Sequence, residues 1–327
     1  MRLLVLGGTS FVGGSIVSAA LTRGVDVTVF NRGISGQPPS GATQFVGDRT
    51  LSADLEQLSD DRWDAVVDTW AGAPYVVRDS ASVLADRADL YVYISSRAVY
   101  ARPTPAGLDE SAPTVESSAD ADSTDYGKDK RGGEMAVEKA WGERAVLARA
   151  GFILGPRESL GRLAHWLHRV ERGGNVLAPG PADLPFRYVD VRDLADWVLH
   201  AAESELSGPY NLVNPVGDST TGSFLEAAVS ATSSAVELVW VEPAFVEEQG
   251  IDRREAFPCW VPPGDGNDGL LSTDVSRALA SGLRCRPIEE TVNDTWTWLQ
   301  ANPDLDHPTF GLDPAREQSL ADLARRT

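Results

Sequence analysis

Cysteine, histidine and basic charge are scarce in this 327-residue chain, and each scarcity closes off a class of function. Two cysteines, Cys259 and Cys285, cannot build a disulfide framework and suit a reducing cytoplasm. The four histidines form no ligand pattern: His165 and His168 are a helical i, i+3 pair without a third ligand nearby in sequence, and both read as surface residues. No segment approaches the ~18 uninterrupted apolar residues that span a bilayer, so no membrane partner is expected. The opening apolar run is short and breaks at glycine, unlike a secretory signal. Lys and Arg number 29 against 48 Asp and Glu, a formal net charge of −19, and no basic run interrupts that balance. Non-specific nucleic-acid binding depends on cations that neutralise phosphates, so no nucleic-acid partner is expected either. The acidity serves solubility instead. What remains is a soluble, cytoplasmic protein with a small-molecule substrate.

Glycine, by contrast, is concentrated where it carries meaning. Arg2-Leu3-Leu4-Val5-Leu6 is a short apolar segment that stops at Gly7-Gly8-Thr9-Ser10-Phe11-Val12-Gly13-Gly14. A helical pattern follows through Ile16, Ala19, Ala20 and Leu21, and then a second strand, Val25 to Phe30. Strand, tight turn, helix and strand in this order make a dinucleotide cradle. Glycines let the backbone approach a pyrophosphate, and the helix N-terminus offers free N–H groups and a positive dipole end. Gly7, Thr9, Ser10, Phe11, Val12 and Gly13 are the candidate pyrophosphate contacts. Farther on, Tyr126 and Lys130 stand four residues apart at the start of a helix-compatible stretch, hence on one face. A phenol titrates near ~10 and is a poor proton carrier at neutrality, but an ammonium one turn away stabilises the phenolate. Such a pair is a general acid or base.

The spacing Gly7-x-x-Ser10-x-x-Gly13 resembles the G-x-x-G-x-x-G turn of extended short-chain dehydrogenases/reductases, the NAD-dependent epimerase/dehydratase family, with Ser10 in place of the second glycine as in an atypical branch. Val92 to Tyr100 resembles the strand that delivers the family's catalytic Ser or Thr, four residues before the closing Tyr, which implies Ser96 beside Ser95. Tyr126 to Lys130, with Glu134, resembles the Tyr-x-x-x-Lys helix. Ile153 to Arg157 and Phe186 to Leu194 resemble the strand ends leading to the substrate side. The likeness covers nearly the whole chain and implies a Rossmann-type α/β fold, a doubly wound parallel sheet with a smaller C-terminal substrate-binding domain. It implies catalysis by Ser96, Tyr126 and Lys130, with Tyr126 exchanging a proton with the substrate oxygen and Lys130 also meeting the nicotinamide ribose. Family members often dimerise through the helix bearing Tyr126, which makes a homodimer the assembly to test. The atypical branch includes plastid relatives described as RNA-binding, a role the charge argues against.

Strands are expected near 2–6, 26–31, 43–46, 65–68, 90–95 and 145–150, with helices near 11–23, 75–87, 126–142 and 160–172. A dinucleotide domain over 1–158, rejoined by 186–215, is expected beside a substrate domain over 159–185 and 216–310 and a tail helix over 311–327. Ala101 to Asp125, rich in Pro, Ser and Asp, reads as a long loop over the site, a lid or a disordered segment. Gly132 and Gly133, costly inside a helix, are explained either by close packing, with a second subunit as one partner, or by simple tolerance. Among the tryptophans, Trp260 in its proline-rich loop is the best pocket candidate. The second strand ends at Asn31-Arg32 without the acid that would hold a ribose 2′-hydroxyl, so NADP(H) is favoured over NAD(H). Asp48 resembles the residue that meets the adenine, next to Arg49; Asp68, Trp70 and Ala71 are expected on the pyrophosphate or nicotinamide side. Arg157-Glu158 stands where nucleotide-sugar members commonly carry Asn, which argues against a nucleoside diphosphate, although Arg162 and Arg187 remain available to an anionic group. A reductase of a small carbonyl compound therefore leads. A nucleotide-sugar epimerase or dehydratase with tightly held NAD is the alternative, and a silent dinucleotide sensor or RNA-associated protein is the third class.

Overall fold

Apolar residues without alternation build the centre of the molecule. Strands β1 (Arg2–Leu6), β4 (Trp63–Asp68), β5 (Ala88–Ser96) and β6 (Ala145–Ala150) are buried at nearly every position, as strands covered on both faces must be. Together with β2 (Asp26–Asn31), the half-exposed edge strand β3 (Thr43–Val46) and β10 (Gly208–Leu212) they form a parallel sheet ordered β10-β6-β5-β4-β1-β2-β3. The computed structural model describes residues 1–34, 36–264, 266–305 and 310–326. Helices Phe11–Thr22 and Val191–Glu203 cover one face; Pro74–Leu84 and Tyr126–Trp141 cover the other.

Strand order reverses between β1 and β4, so a crevice opens at their carboxyl ends, the place where such sheets bind ligands. Register sharpens this. Leu6 pairs with both Phe30 and Asp68, bringing the ends of β1, β2 and β4 level, while Asp68 pairs with Tyr93. Strand β5 therefore runs past its neighbour and carries Ser96 out over the crevice.

Gly132 and Gly133 have an explanation within the chain rather than in a second subunit. A Cβ on Gly132 would lie 2.5 Å from Pro74 Cγ and 2.5 Å from the Ser118 carbonyl, and one on Gly133 would lie 2.4 Å from the Tyr93 hydroxyl. The helix Tyr126–Trp141 thus lies flush against the sheet and its neighbouring helix. The segment 101–125 is neither helix nor strand, but it is firmly tied: Ala101 N donates to Pro113 O, Thr104 N to Gly266 O, and Asp274 N to Leu108 O. With Leu108 buried against Val99 and Tyr100, it is a strap across the sheet end rather than a free lid.

A second core gathers residues after Leu154. Strands β7 (Phe152–Leu154) and β9 (Tyr188–Asp190) pair in parallel, as do β8 (Gly174–Pro179) and β11 (Val236–Val241). Trp166, Phe186, Phe224, Phe257, Trp260 and Trp296 fill the space beside them. The tail helix Pro314–Ala324 is docked rather than superficial, because Glu317 is buried and takes hydrogen bonds from Arg169 Nε at 2.6 Å and Leu177 N at 3.1 Å. His165 departs from its expected surface position too. It packs on Trp166 and Phe310, and burial, helped by Arg172 and Arg169, pulls its imidazole down to about 4. Among the described residues no helix is long and apolar enough to cross a membrane, and no cluster of three or more metal-ligating side chains occurs.

The tight seat of the helix yields a test. Alanine at position 132 gains about 1 kcal/mol in helix propensity, but overpacking costs typically 1–3 kcal/mol. Here the clash includes a backbone carbonyl, so Gly132→Ala is expected to lose about 1–2 kcal/mol of stability. Urea denaturation measures it; an unchanged or raised midpoint contradicts the packing described.

Candidate active site

The turn after β1 is built to receive an anion. Gly7 has φ +95°, and a Cβ on Gly13 would fall 2.0 Å from the Gly7 carbonyl, so only glycine closes this bend. Ser10 precedes the helix in extended conformation, yet its hydroxyl caps no helix N–H, and the first turn contains no carboxylate. The amide groups at this helix end are left for a ligand. A cleft of about 190 Å³ follows, lined by Gly7, Thr9, Ser10, Asn31, Arg32, Asp48, Arg49, Trp70 and Ala71 among others. Ser10, Thr69 and Ala71 also line a larger cavity of about 710 Å³, so the two are continuous across the glycine turn. Phe11, Val12 and Gly13 face the larger one. These residues fit a dinucleotide laid over the turn. Thr69, missed in the sequence, packs against Gly7 and donates to the Leu6 carbonyl at 3.0 Å.

Polar groups in the smaller cleft differ in what they can offer. Asn31 Oδ1 accepts from Gly33 N at 2.8 Å and Gln44 Nε2 at 2.9 Å, leaving Nδ2 buried without a partner. Asp48 accepts from Thr50 N and Oγ1, contacts that with Arg32 hold its carboxyl below the usual range. Arg32 itself is exposed at the rim. Two expectations need correction. Asp68 is wholly buried and lines neither cavity, and Arg49, although its stem borders the cleft, turns its guanidinium inward onto Asp68. Both bonds of that pair are 2.6 Å, and Tyr91 donates to Asp68 at 2.6 Å as well. A buried carboxylate must be neutralised, and Arg49 and Tyr91 converge on Asp68 at the end of β4. Burial alone would push the Asp68 carboxyl up, but the Arg49 guanidinium, with hydrogen bonds from Tyr91 and the Trp70 amide, keeps it below its ordinary value.

Ser96, Tyr126 and Lys130 all line the 710 Å³ cavity. Ser96 Oγ accepts from Ala98 N at 3.1 Å, which uses a lone pair and leaves the O–H to donate. Ser95, also on the wall, spends its O–H on Glu134 at 2.7 Å and is held in place rather than available. Asp125 caps the helix by accepting from Lys128 N, which starts the helix at Tyr126 and leaves that phenol half exposed. Lys130 is buried. Its ammonium donates to the Trp70 carbonyl at 2.5 Å and the Ile94 carbonyl at 2.6 Å and sits 4.7 Å from the Tyr93 ring centre. Of three N–H groups, two are used and one is left for the cavity. Burial pulls this ammonium down to about 7, with Asp68 opposing and Arg49 adding to the shift. One turn further, Glu134 is buried and clasped by Arg149 through bonds of 2.9 and 3.0 Å.

A side cavity of about 290 Å³ shares Arg102, Phe152, Arg162 and Val261 with the main one, and adds Arg253, Arg254 and Trp260. The indole nitrogen of Trp260 is buried there without a partner. Of these arginines, Arg102 and the pair 253–254 were not singled out in the sequence; only the fold gathers them.

A parallel sheet, a glycine turn at its switch point and a Ser–Tyr–Lys cavity define a nicotinamide-dependent enzyme of the extended short-chain dehydrogenase/reductase type. The sequence profile of the NAD dependent epimerase/dehydratase family matches residues 3–214, and the chain belongs to that family. A relative, the dTDP-6-deoxy-L-talose 4-dehydrogenase (NAD(P)(+)) of Kitasatospora kifunensis, is 28% identical over 333 residues, covering 92% of this chain and 96% of the relative. Bordetella bronchiseptica WbmH, solved with NAD+, is similar in fold with a TM-score of 0.69 at 19% identity, covering 91% of this chain and 98% of that one. The UDP-glucose 4-epimerase of Thermus thermophilus, solved with NAD, gives 0.66 at 22% identity, covering 92% and 99%.

The buried pair beneath the cleft sets an acid limit. The folded carboxyl of Asp68 lies below its unfolded value, so the stability it contributes is present above the ordinary carboxylate range and is lost as pH falls through the lowered value. Asp68→Asn strands Arg49 and is expected to cost about 3–5 kcal/mol. Chemical denaturation at neutral and acid pH checks both; equal losses at pH 7 and pH 3 contradict the assignment.

Proposed function

We propose that this protein is an NAD(P)-dependent oxidoreductase acting at a carbonyl or hydroxyl carbon of a nucleoside-diphosphate sugar, with a dehydrogenase or reductase outcome. One observation carries the reading: Ser96, Tyr126 and Lys130 share a cavity continuous with the glycine-turn cleft. In this reading residues 1–158 with 186–215 hold the dinucleotide, and 159–185 with 216–310 hold the substrate. Gly7 through Gly13 would take the pyrophosphate; Asn31, Arg32, Asp48, Trp70 and the stem of Arg49 would border the adenosine. Bound there, the dinucleotide supplies or accepts the hydride. Tyr126 gives a proton to the substrate oxygen or takes one from it. Ser96 donates a hydrogen bond to the same oxygen and fixes it at the phenol. Lys130, anchored by two carbonyls, uses its remaining N–H and its charge to favour the phenolate. Its value near 7 keeps that charge within reach of neutral pH.

The substrate class rests on the side cavity. Four arginines and an indole with a spare N–H suit a diphosphate and a base, and this outweighs the objection from Arg157-Glu158. Glu158 is buried, accepting from Arg162 Nε at 2.6 Å and Leu163 N at 3.0 Å, and so orients Arg162 instead of repelling an anion. The activity printed for the Kitasatospora relative, on a dTDP-sugar, supports the same class. The acid-free end of β2 and the exposed Arg32 support NADP(H) over NAD(H). An epimerase outcome is the second reading, carried by the family match.

Turnover on a panel of 4-hydroxy and 4-keto nucleotide sugars, followed at the reduced-nicotinamide absorbance, tests the proposal. Tyr126→Phe is expected to lower it by about 10²–10⁴-fold with dinucleotide affinity unchanged. Unaltered turnover removes Tyr126 from the chemistry. Dinucleotide released on denaturing the purified protein separates the outcomes: none or NADP(H) fits a dehydrogenase, one NAD per chain an epimerase.

A further inference from the structure

Five arginines are buried among the described residues, and three of them are paired with carboxylates: Arg49 with Asp68, Arg149 with Glu134, Arg169 with Glu317. The other two, Arg97 and Arg187, are bonded to carbonyls and a hydroxyl instead. Arg97 donates through Nη1 to the Leu270 carbonyl at 2.6 Å and to Thr273 Oγ1 at 2.7 Å. Arg187 donates to the Leu271 and Thr273 carbonyls at 3.0 and 2.9 Å, and Asp218 acts on it only from a distance. The Nε of each is buried without an acceptor. Burial pulls the Arg97 guanidinium down to about 9, and Arg187 pushes the same way; Tyr100 opposes weakly, and no carboxylate contributes.

Two neighbouring cations without a bonded counter-charge are costly in a protein interior. In a chain carrying 48 acidic residues, the absence of a carboxylate here is not a shortage of supply. Carbonyls at the end of the short helix Asp268–Leu271 offset part of the cost, since they are a negative dipole end. They occupy only one side of Arg97. Its other edge, Nε and Nη2, faces Gly151, where a Cβ would lie 3.2 and 2.9 Å from those two nitrogens. Arg97 and Gly151 both line the 710 Å³ cavity, and Arg97 directly follows Ser96 in the chain. Nε is closed off against Gly151, so Nη2 is the nitrogen of Arg97 that can offer the cavity a charge-assisted hydrogen bond, the kind a carboxylate accepts.

We infer that the substrate carries a carboxylate close to its reacting carbon, and that Arg97, backed by Arg187, is the residue that neutralises it. With the diphosphate accommodated by the side-cavity arginines, the carboxylate belongs to the sugar itself, which makes the substrate a nucleotide-linked acidic sugar. Arg97 is then a specificity residue beside Ser96, and neutral sugars leave its charge uncompensated.

The inference rests on the cavity being the substrate site, and the experiment separates the two. Malonate is titrated calorimetrically into the full-length protein at constant ionic strength, with and without NADPH. Saturable binding is expected, weakened about tenfold or more in Arg97→Gln and largely kept in Arg97→Lys, as for loss of a charge-assisted hydrogen bond. Arg62→Gln, at an exposed surface pair with Asp89 away from these cavities, is expected to leave it within about twofold. Should Arg97→Gln fail to fold, crystals of the unmodified protein grown in malonate decide, with a carboxylate expected against Arg97. Equal affinity in wild type and Arg97→Gln, or malonate bound only at the side cavity, overturns the inference. Malonate at Arg97 in a protein that takes up no dinucleotide would instead sink the proposed function and leave the anion site standing.

Discussion

The buried clasp between Glu134 and Arg149 is the constraint on which the site depends. It ties the helix Tyr126–Trp141 to β6, and Ser95 donates to the same carboxylate, so β5 is tied in as well. Tyr126, Lys130 and Glu134 are successive i+4 positions, and fixing the third fixes the face presented by the other two. Gly132 and Gly133 allow the helix to lie close enough for the clasp to form. A phenol, an ammonium and a hydroxyl from two elements then border one cavity without needing to touch one another. Arg149 extends the arrangement by donating to the Tyr100 hydroxyl, which in turn donates to Asn211 on β10. Side chains from three neighbouring strands and a helix thus share one hydrogen-bonded unit beneath the cavity.

Charge placement follows one logic across the molecule. An acidic chain spends its carboxylates on the surface, for solubility, and on the arginines that must be buried. Beneath the glycine-turn cleft Asp68 meets Arg49; beneath the helix Tyr126–Trp141 Glu134 meets Arg149; at the docked tail helix Glu317 meets Arg169. Arg97, Arg102 and Arg254 border the 710 and 290 Å³ spaces, where a bound anion would do what carboxylates do elsewhere.

Much of the sheet was legible in the sequence because buried parallel strands write themselves as short apolar runs. Strands 2–6, 26–31, 43–46 and 145–150 fall where expected, and β4 and β5 begin two residues earlier, at Trp63 and Ala88. The helix start was legible too, in the spacing of Tyr126 and Lys130. Asp68 was misplaced, and the inward turn of the Arg49 guanidinium unforeseen, because family resemblance supplies a position along the chain, whereas depth depends on which partner the packing provides. The strap over 101–125 was hard to foresee for a related reason: its bonds run to residues some 160 positions away, such as Gly266 and Ser272, and leave no local pattern. Nothing in the spacing of Arg97, Gly151 and Leu270 suggests that they share a wall.

The central claim is that the glycine turn and the Ser96–Tyr126–Lys130 cavity form one dinucleotide-fed site. Its most direct test is energy transfer from tryptophan to reduced nicotinamide as NADPH and NADH are titrated into the purified protein, since Trp70 lines the cleft. The account predicts saturable transfer, stronger for NADPH and abolished by Gly13→Val, whose side chain would strike the Gly7 carbonyl. Absence of saturable binding by either dinucleotide, or equal binding in Gly13→Val, would contradict it.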